Sequence, residues 1–170
     1  VGDAANEPSM AIDRTNPNRI AIGWRQFDAV ASNFRQAGNA FSTNAGQTWT
    51  FPGVLTPGQF RSDPVLTSDA AGNFYFSSLS SLSSIEVFKS TNGGATWGAP
   101  VSAFGGDKQW FVADATGGIG SGNLYQIWNV QFTCCPPNDF TRSINGGASF
   151  QSPIALPLPS MKWGTMDVGA

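Results

Sequence analysis

The sequence predicts an all-β chain, built from a four-stranded unit that recurs about every 50 residues. Short runs that alternate apolar and polar residues occur along the whole chain, and Gly, Asn, Pro and Asp separate them. No segment keeps a helical period for more than about two turns. An octapeptide that ends in an aromatic residue occurs three times, in step with the strands around it.

The repeated octapeptide joins the third strand of each unit to the fourth. Its Asn side chain can hydrogen-bond the backbone of a turn, and its shared Gly suits a positive φ. Its final aromatic ring buries a large apolar area between sheets. We therefore expect structural turns formed by Ser42, Asn44, Gly46, Thr48, Trp49, Ser90, Asn92, Gly94, Thr96, Trp97, Ser143, Asn145, Gly147, Ser149 and Phe150.

A second landmark is an Asp at the end of the first strand of each unit. It occurs as Asp13, Asp69 and Asp114, and a fourth copy is Asp167. A Gly- or Asn-rich turn follows each of the first three, and then an alternating strand begins. Because Asp side chains commonly accept hydrogen bonds from a turn two residues on, we expect these residues to form turns.

Four strands in about 50 residues is the pattern of a β-propeller blade. The sequence predicts antiparallel blades at 1–56, 57–103 and 104–159, and the first strand of a fourth blade at 160–170. Propellers close with about 4–8 blades, so three cannot complete a ring. We expect a fragment of a longer chain, with the missing blades supplied by the rest of that chain or by another copy.

The octapeptide resembles the Asp-box, or BNR repeat, of sialidases and related propellers. The match to S-x-D-x-G-x-T-W is good, except that Asn44, Asn92 and Asn145 stand in place of Asp. The resemblance implies a ring of six or seven blades and a secreted or periplasmic location. It also implies glycan binding or hydrolysis, although Asp-boxes occur in sorting receptors and assembly factors as well.

The composition excludes several function classes. Only 12% of the residues are charged and the net charge is −2, which does not suit a nucleic-acid surface. The absence of His removes the Ser-His-Asp triad and the His-containing zinc sites. No apolar run approaches the roughly 18 residues of a membrane span. We expect neither a metal nor a cofactor.

Candidate site residues precede the first strand of each unit, where the inner strands of a propeller begin. An acid occurs there in all three complete units, as Glu7, Asp63 and Asp107. Such carboxylates are candidates for acid and base catalysis of glycoside hydrolysis. The neighbouring candidates for ligand binding are Arg61 and Lys108, which would anchor a substrate, and Trp110, which would stack on a sugar ring, with Lys162 and Trp163 at the equivalent place of the fourth unit. The alternative is that the acids cap the inner strands and pair with these cations.

The full set of sialidase catalytic residues cannot be assembled from this sequence. The resemblance implies three arginines, a tyrosine paired with a glutamate, and an aspartic acid. Tyr75 and Tyr125 lie inside strands where packing is their natural role, and Glu86 fits a surface position. Core packing is likewise expected of Trp24 and Trp128. The sequence does not decide whether Arg25 faces solvent or the channel.

Cys134 and Cys135 are adjacent in a loop that contains two prolines. They could bond to each other, bond to cysteines in further blades, or stay as thiols. We favour the bond between neighbours, because a secreted chain rarely keeps paired thiols exposed.

Two functions compete at this point. The first is recognition of a carbohydrate ligand in the central funnel of a sialidase-like propeller, with exo-sialidase hydrolysis in the complete protein. The second is a non-catalytic propeller that serves as a scaffold for protein or surface binding.

Overall fold

The computed structural model describes residues 4–157 and 164–169, and these residues form ten β-strands and no helix. No helix long and apolar enough to cross a membrane therefore occurs among them. The strands are β1 (Ala4–Ile12), β2 (Ile20–Phe27), β3 (Gln36–Ser42), β4 (Ser62–Ser68), β5 (Phe74–Ser81), β6 (Ser84–Ser90), β7 (Val101–Ser102), β8 (Trp110–Ala113), β9 (Leu124–Ile127) and β10 (Phe140–Ser143).

The strands form three antiparallel sheets, each wound in chain order. The first sheet is β1-β2-β3, the second is β4-β5-β6-β7, and the third is β8-β9-β10. The prediction of all-β propeller blades is confirmed. The fourth strand is complete only in the second sheet. In the first and third sheets it is reduced to single bridges, such as Phe41 to Thr50 and Phe140 to Ile154. Pro52 and Pro153 interrupt these segments, because proline cannot donate to a ladder.

The first strand of each sheet lies beside the first strand of the next. β4 contacts β1 on one side and β8 on the other, so the sheets are arranged as successive blades around these inner strands. Gly23 on β2 shows how closely the blades pack, because a Cβ there would collide with the side chains of Phe76 and Leu66 in the second sheet.

Two apolar clusters fill the spaces between the blades. One joins Ala11 and Ala21 of the first sheet to Phe74 and Phe76 of the second. The other lies between the second and third sheets and contains Val65, Tyr75, Leu79, Ile85, Val87, Ala103, Phe111, Ala113 and Leu124. Burial of this apolar area is the main force that holds neighbouring blades together.

The octapeptide turns share one hydrogen-bond pattern. In the first copy the Ser42 hydroxyl accepts from the Gly46 N–H at 2.9 Å, and Asn44 Oδ1 accepts from the Thr48 N–H at 2.9 Å. The Asn44 side-chain NH2 donates to the Thr48 hydroxyl at 2.9 Å. Asn therefore serves in place of Asp, because its NH2 group adds a donor that a carboxylate lacks. The same bonds recur in the other two copies, and the shared Gly46, Gly94 and Gly147 have φ of 82°, 88° and 84°.

The aromatic residues of the second and third octapeptides face the preceding blade. Trp97 packs against the first cluster, and its indole N–H donates to Asn39 Oδ1 of the first sheet at 3.2 Å. Phe150 packs in the same way against the cluster of the second sheet. Trp49, in the first blade, has no preceding blade among the described residues, and its side chain is 42% exposed.

The strand-end aspartates form turns, as the sequence predicts. Asp69 Oδ1 accepts from the backbone N–H groups of Ala71 and Asn73, both at 2.9 Å. Asp13 and Asp114 make corresponding bonds to their own turns. Burial opposes the charged form of Asp69, but its hydrogen bonds, the side-chain bond from Asn73 foremost, outweigh burial and lower its pKa.

The predicted fourth blade is described only in part. The structure assigns no strand to 164–169, although Asp167 Oδ1 accepts from the Val168 N–H at 2.8 Å. Lys162 and Trp163 lie outside the described residues. The boundaries of the repeats stay a prediction.

Replacement of Trp97 by Ala should destabilise the fold by about 3 kcal/mol, because it empties the space between two blades and removes a hydrogen bond to Asn39. The matched control is Trp49→Ala, which removes the more exposed ring at the equivalent position of the first octapeptide. This variant should lower the free energy of unfolding by less than about 1 kcal/mol. Urea denaturation followed by circular dichroism measures both values. Equal losses for the two variants would contradict the proposed packing of the blades.

Candidate functional site

A cluster of charged side chains lies where the inner strands of the three blades begin. The Lys108 ammonium nitrogen is 3.4 Å from Glu7 Oε1 and 3.1 Å from Asp63 Oδ2. Arg25, from β2, places its guanidinium 3.3 Å from Glu7 Oε1 and 3.9 Å from Asp63 Oδ1. Three blades therefore contribute to one network of two acids and two cations, which we call the rim cluster (Glu7, Arg25, Asp63 and Lys108).

An unusual backbone conformation brings three of these residues together. Glu7, Asp63 and Lys108 have φ of 52°, 50° and 55°, in the left-handed region that residues other than Gly rarely adopt. The ladders of β1 and β4 shift register at these points. Because such residues persist only where their surroundings hold them, their recurrence in three blades indicates a repeated structural feature of the inner strands.

The equivalence of the three positions corrects one prediction. Glu7, Asp63 and Lys108 each lie six residues before the strand-end aspartate of their blade. The residue that matches Glu7 and Asp63 is thus Lys108, and Asp107 is one position earlier. The third blade supplies a cation at this place, where the sequence pattern had suggested a third acid.

Arg25 was not among the residues that the sequence assigned to the site. Its Nε donates to Asn6 Oδ1 at 2.7 Å, and Asn6 is also its partner residue in the ladder of β1 and β2. Its guanidinium also donates to the Ser62 hydroxyl at 3.5 Å, and that hydroxyl donates to Asp63 Oδ1 at 2.7 Å. A register counted from the turn at Asp13 would have placed Arg25 opposite Glu7, and the register shift moves its ladder partner to Asn6.

Asp63 of the rim cluster and the neighbouring Asp107 differ in their acidity. Burial alone would raise the pKa of Asp63, but the Ser62 hydroxyl and the Lys108 ammonium outweigh it and lower the pKa. Burial and the nearby Asp63 charge raise the pKa of Asp107. Burial opposes the charge on Lys108, but the negative charge of Asp63 outweighs it and raises the pKa of the ammonium. The cluster thus holds Asp63 ionised beside a second carboxyl that gains a proton more easily.

Arg61 is not part of the rim cluster. Its side chain is 1% exposed, its guanidinium lies 2.6 Å from Glu86 Oε2, and it stacks 4.9 Å from the centre of the Phe88 ring. The expectation of a ligand-binding Arg61 is therefore corrected, whereas the Glu86 side chain is 30% exposed and keeps a partly exposed position. The two side chains form an ion pair that packs against the second sheet, and Arg61 has no open face for a ligand.

A cavity of about 330 Å³ opens beside the cluster. Glu7, Asp63, Lys108, Gln109 and Trp110 all line it. The Trp110 ring is 37% exposed, and its N–H donates to the Met166 carbonyl at 3.0 Å. The ring is thus anchored by its polar edge, which leaves an apolar surface toward the cavity.

Gln109 is a second residue to which the sequence gave no role in the site. It is 3% exposed, and its side-chain NH2 donates to the backbone carbonyl of Asp63. Its Oε1 is buried and has no hydrogen-bond partner among the described residues.

Cys134 and Cys135 are bonded to each other, and their Cα atoms are 3.8 Å apart. Their loop is tied to the segment before Lys108, because the Cys134 N–H donates to the Gly105 carbonyl and the Asp107 N–H donates to the Phe132 carbonyl. The disulfide loop thus supports the segment that carries Lys108 into the rim cluster.

Tyr75 and Trp128 belong to the core, whereas Trp24 is half-buried. Tyr75 is fully buried, and Trp128 is nearly so. Burial and the Asp69 carboxylate raise the pKa of Tyr75 above its ordinary value. Trp24 stacks near Phe51, with ring centres 5.7 Å apart. Within 4–157 and 164–169, no three His, Cys, Asp or Glu side chains are placed to hold a metal ion together.

Solved structures with a similar fold are carbohydrate-active enzymes. A proposed exo-β-1,3-galactanase from Bifidobacterium bifidum s17 superposes with a TM-score of 0.61 at 9% identity, over 89% of this chain and 50% of that one. An arabinoxylan arabinofuranohydrolase of glycoside hydrolase family 43 from Bacillus subtilis gives 0.58 at 15% identity, over 91% and 36%. A leech intramolecular trans-sialidase gives 0.50 at 16% identity, over 72% and 18%.

These similarities concern the fold alone, since every identity is below 25%. The chain spans about half the length of the galactanase structure and smaller shares of the other two. No protein-family profile matches the sequence, and no curated protein matches it.

Replacement of Lys108 by Met should raise the pKa of Asp63, because the ammonium 3.1 Å away favours the carboxylate. Carbon-detected NMR titration of the carboxyl groups measures this change. Lys89→Met is the matched control, since Lys89 contacts Tyr75 and the Gly146 carbonyl instead, and should leave Asp63 unchanged.

The same variant should alter how stability depends on pH. Because the folded pKa of Asp63 is below its ordinary value of 3.8, its charge stabilises the fold above that pH, and the effect is lost as pH falls through the lowered pKa. The stability difference between wild type and Lys108→Met should therefore shrink on acidification. A difference that stays constant down to strongly acidic pH would contradict the assignment.

Proposed function

We propose that the chain is part of a secreted, sialidase-like Asp-box propeller that binds carbohydrate in the cavity beside Trp110. The observation that carries the proposal is the convergence of three blades on the rim cluster, next to an anchored aromatic ring. Sugar sites commonly need such a combination, since hydroxyl groups require polar partners and the ring carbons require an apolar surface.

Three further observations support the proposal. The octapeptide turns have the hydrogen bonds and positive-φ glycines that suit an Asp-box. The solved structures with a similar fold are named as enzymes that act on carbohydrates. The disulfide between Cys134 and Cys135 is of a kind that persists in oxidising, extracytoplasmic surroundings.

Glycoside hydrolysis is the catalytic form of the proposal. Catalysis of this kind pairs an acid of raised pKa with an ionised carboxylate. Asp107 and Asp63 differ in the required direction, and Asp63 lines the cavity. Their proposed roles are proton donor for Asp107 and charge stabilisation for Asp63, with Glu7 beside them.

Release of sialic acid, the narrower reaction that the resemblance implies, needs arginines open to a substrate carboxylate. Arg25 and Arg61 are both held by carboxylates of the protein. The direct test is cleavage of a fluorogenic sialoside by the intact protein. Absence of cleavage would reject the sialidase reaction and leave glycan binding to be tested separately.

The test of glycan binding is a glycan array followed by calorimetry with the best ligand. Trp110→Ala should weaken binding by about tenfold or more, which corresponds to the loss of one stacking contact. Trp49→Ala removes another exposed indole outside the cavity and should leave the affinity unchanged. If no saccharide binds, or if both variants bind as the wild type does, the proposal is wrong, and the scaffold function becomes the better account.

A further inference from the structure

We propose that the cavity beside Trp110 selects a neutral, hydroxyl-rich sugar over an acidic one. The inference rests on the proposed function and narrows it to a ligand class. It follows from a count of which hydrogen-bonding groups around the cavity are already satisfied and which are not.

The first unsatisfied group is the side-chain carbonyl of Gln109. Its NH2 group must point to the Asp63 backbone carbonyl, because that carbonyl can only accept. The orientation of the amide is therefore fixed, and Oε1 is left as a buried acceptor without a donor among the described residues. A buried acceptor without a donor is unfavourable, so a ligand that donates to it is favoured.

The second unsatisfied group is Glu7 Oε2. The other oxygen of this carboxylate, Oε1, faces both Lys108 and Arg25. Oε2 is buried and has no partner in the part of the chain that the structure describes. A sugar hydroxyl can donate to this carboxylate oxygen, and hydrogen bonds to charged acceptors are stronger than those to neutral ones.

The cations of the cavity, by contrast, already have anionic partners. Lys108 lies between Glu7 and Asp63, and Arg25 contacts the same two carboxylates. A sugar carboxylate would have to share these cations with the two carboxylates already in place, and it would bring a third negative charge close to them. Among the residues described, the site thus offers two acceptors without a donor, whereas its cations are already paired with carboxylates.

The remaining lining suits the carbon face of a neutral sugar. Trp110 presents its ring, and Pro8, Pro64 and Val65 add apolar surface beside it. The indole N–H is already used by the Met166 carbonyl. The aromatic ring therefore contributes stacking, and the direction of the hydroxyl groups is set by Gln109 and Glu7.

The test compares matched pairs of sugars by calorimetry with the complete chain. The pairs are galactobiose with digalacturonic acid, and lactose with 3′-sialyllactose. We expect the preferred neutral sugar to bind at least about tenfold more tightly than its acidic counterpart, and Trp110→Ala to weaken this binding by about tenfold or more.

Glu7→Gln provides the second measurement. The substitution removes one of the negative charges that neutralise Lys108. It also replaces the two carboxylate oxygens by an amide, in which the NH2 group donates and the remaining oxygen is neutral. The ratio of neutral to acidic affinity should therefore fall by about tenfold. The control is Asp28→Asn, which removes the same charge from a residue that does not line the cavity and should leave the ratio unchanged.

The outcomes separate the two proposals. Trp110-dependent binding that favours the acidic sugars, or an unchanged ratio in Glu7→Gln, would overturn the inference while glycan binding stands. Absence of binding by any sugar would overturn glycan binding and the inference together.

Discussion

The Lys108 ammonium between the carboxylates of Glu7 and Asp63 is the contact on which the account of the site depends. It joins the first, second and third blades across 101 residues of sequence. Each of the three residues is in a left-handed conformation that costs about 1–3 kcal/mol for a residue other than Gly. The ion pairs, the Arg25 guanidinium and the hydrogen bond from Ser62 offset part of that cost. The result is a rigid opening where three inner strands start.

The packing between blades brings the three strand starts together. Trp97 and Phe150 each extend from an octapeptide turn to the preceding sheet. The two contacts differ in chemistry. The Trp97 N–H donates to Asn39, whereas Phe150 packs on a cluster that contains Val87, the residue of the second sheet that is equivalent to Asn39. An indole therefore donates a hydrogen bond to a polar acceptor, whereas a phenyl ring packs on an apolar cluster. This matching fixes each sheet relative to the next, and the rim cluster depends on that relation.

The sequence was sufficient to predict the fold, because the repeat appears in it three times. Hydrogen-bonded turns at Asp13, Asp69 and Asp114, and the glycines of the octapeptides, follow from local chemistry that acts within a few residues. Glu7, Asp63, Lys108 and Trp110 were predicted to lie near one another for the same reason, since each lies close to the expected start of an inner strand.

The remaining features depend on contacts that no local pattern reveals. Lys108, and not Asp107, matches the two acids, because the left-handed residue is defined by its distance to the strand-end aspartate and not by its charge. Arg61, just before β4, turns inward to Glu86 of β6, which lies 25 residues further along the chain and is separated from β4 by β5. The free acceptors of Gln109 and Glu7 become visible only when every other donor has been assigned.

The most direct test of the central claim is the distance between residues 7 and 108 in solution. A double variant, Glu7→Cys with Lys108→Cys, treated with a short bismaleimide, should form an intramolecular cross-link that mass spectrometry locates. The pair Glu7→Cys with Lys89→Cys is the control and should not cross-link. An efficient link in the first pair alone is the predicted result. No link in the first pair, or links only between molecules, would show that the inner strands of the first and third blades do not meet.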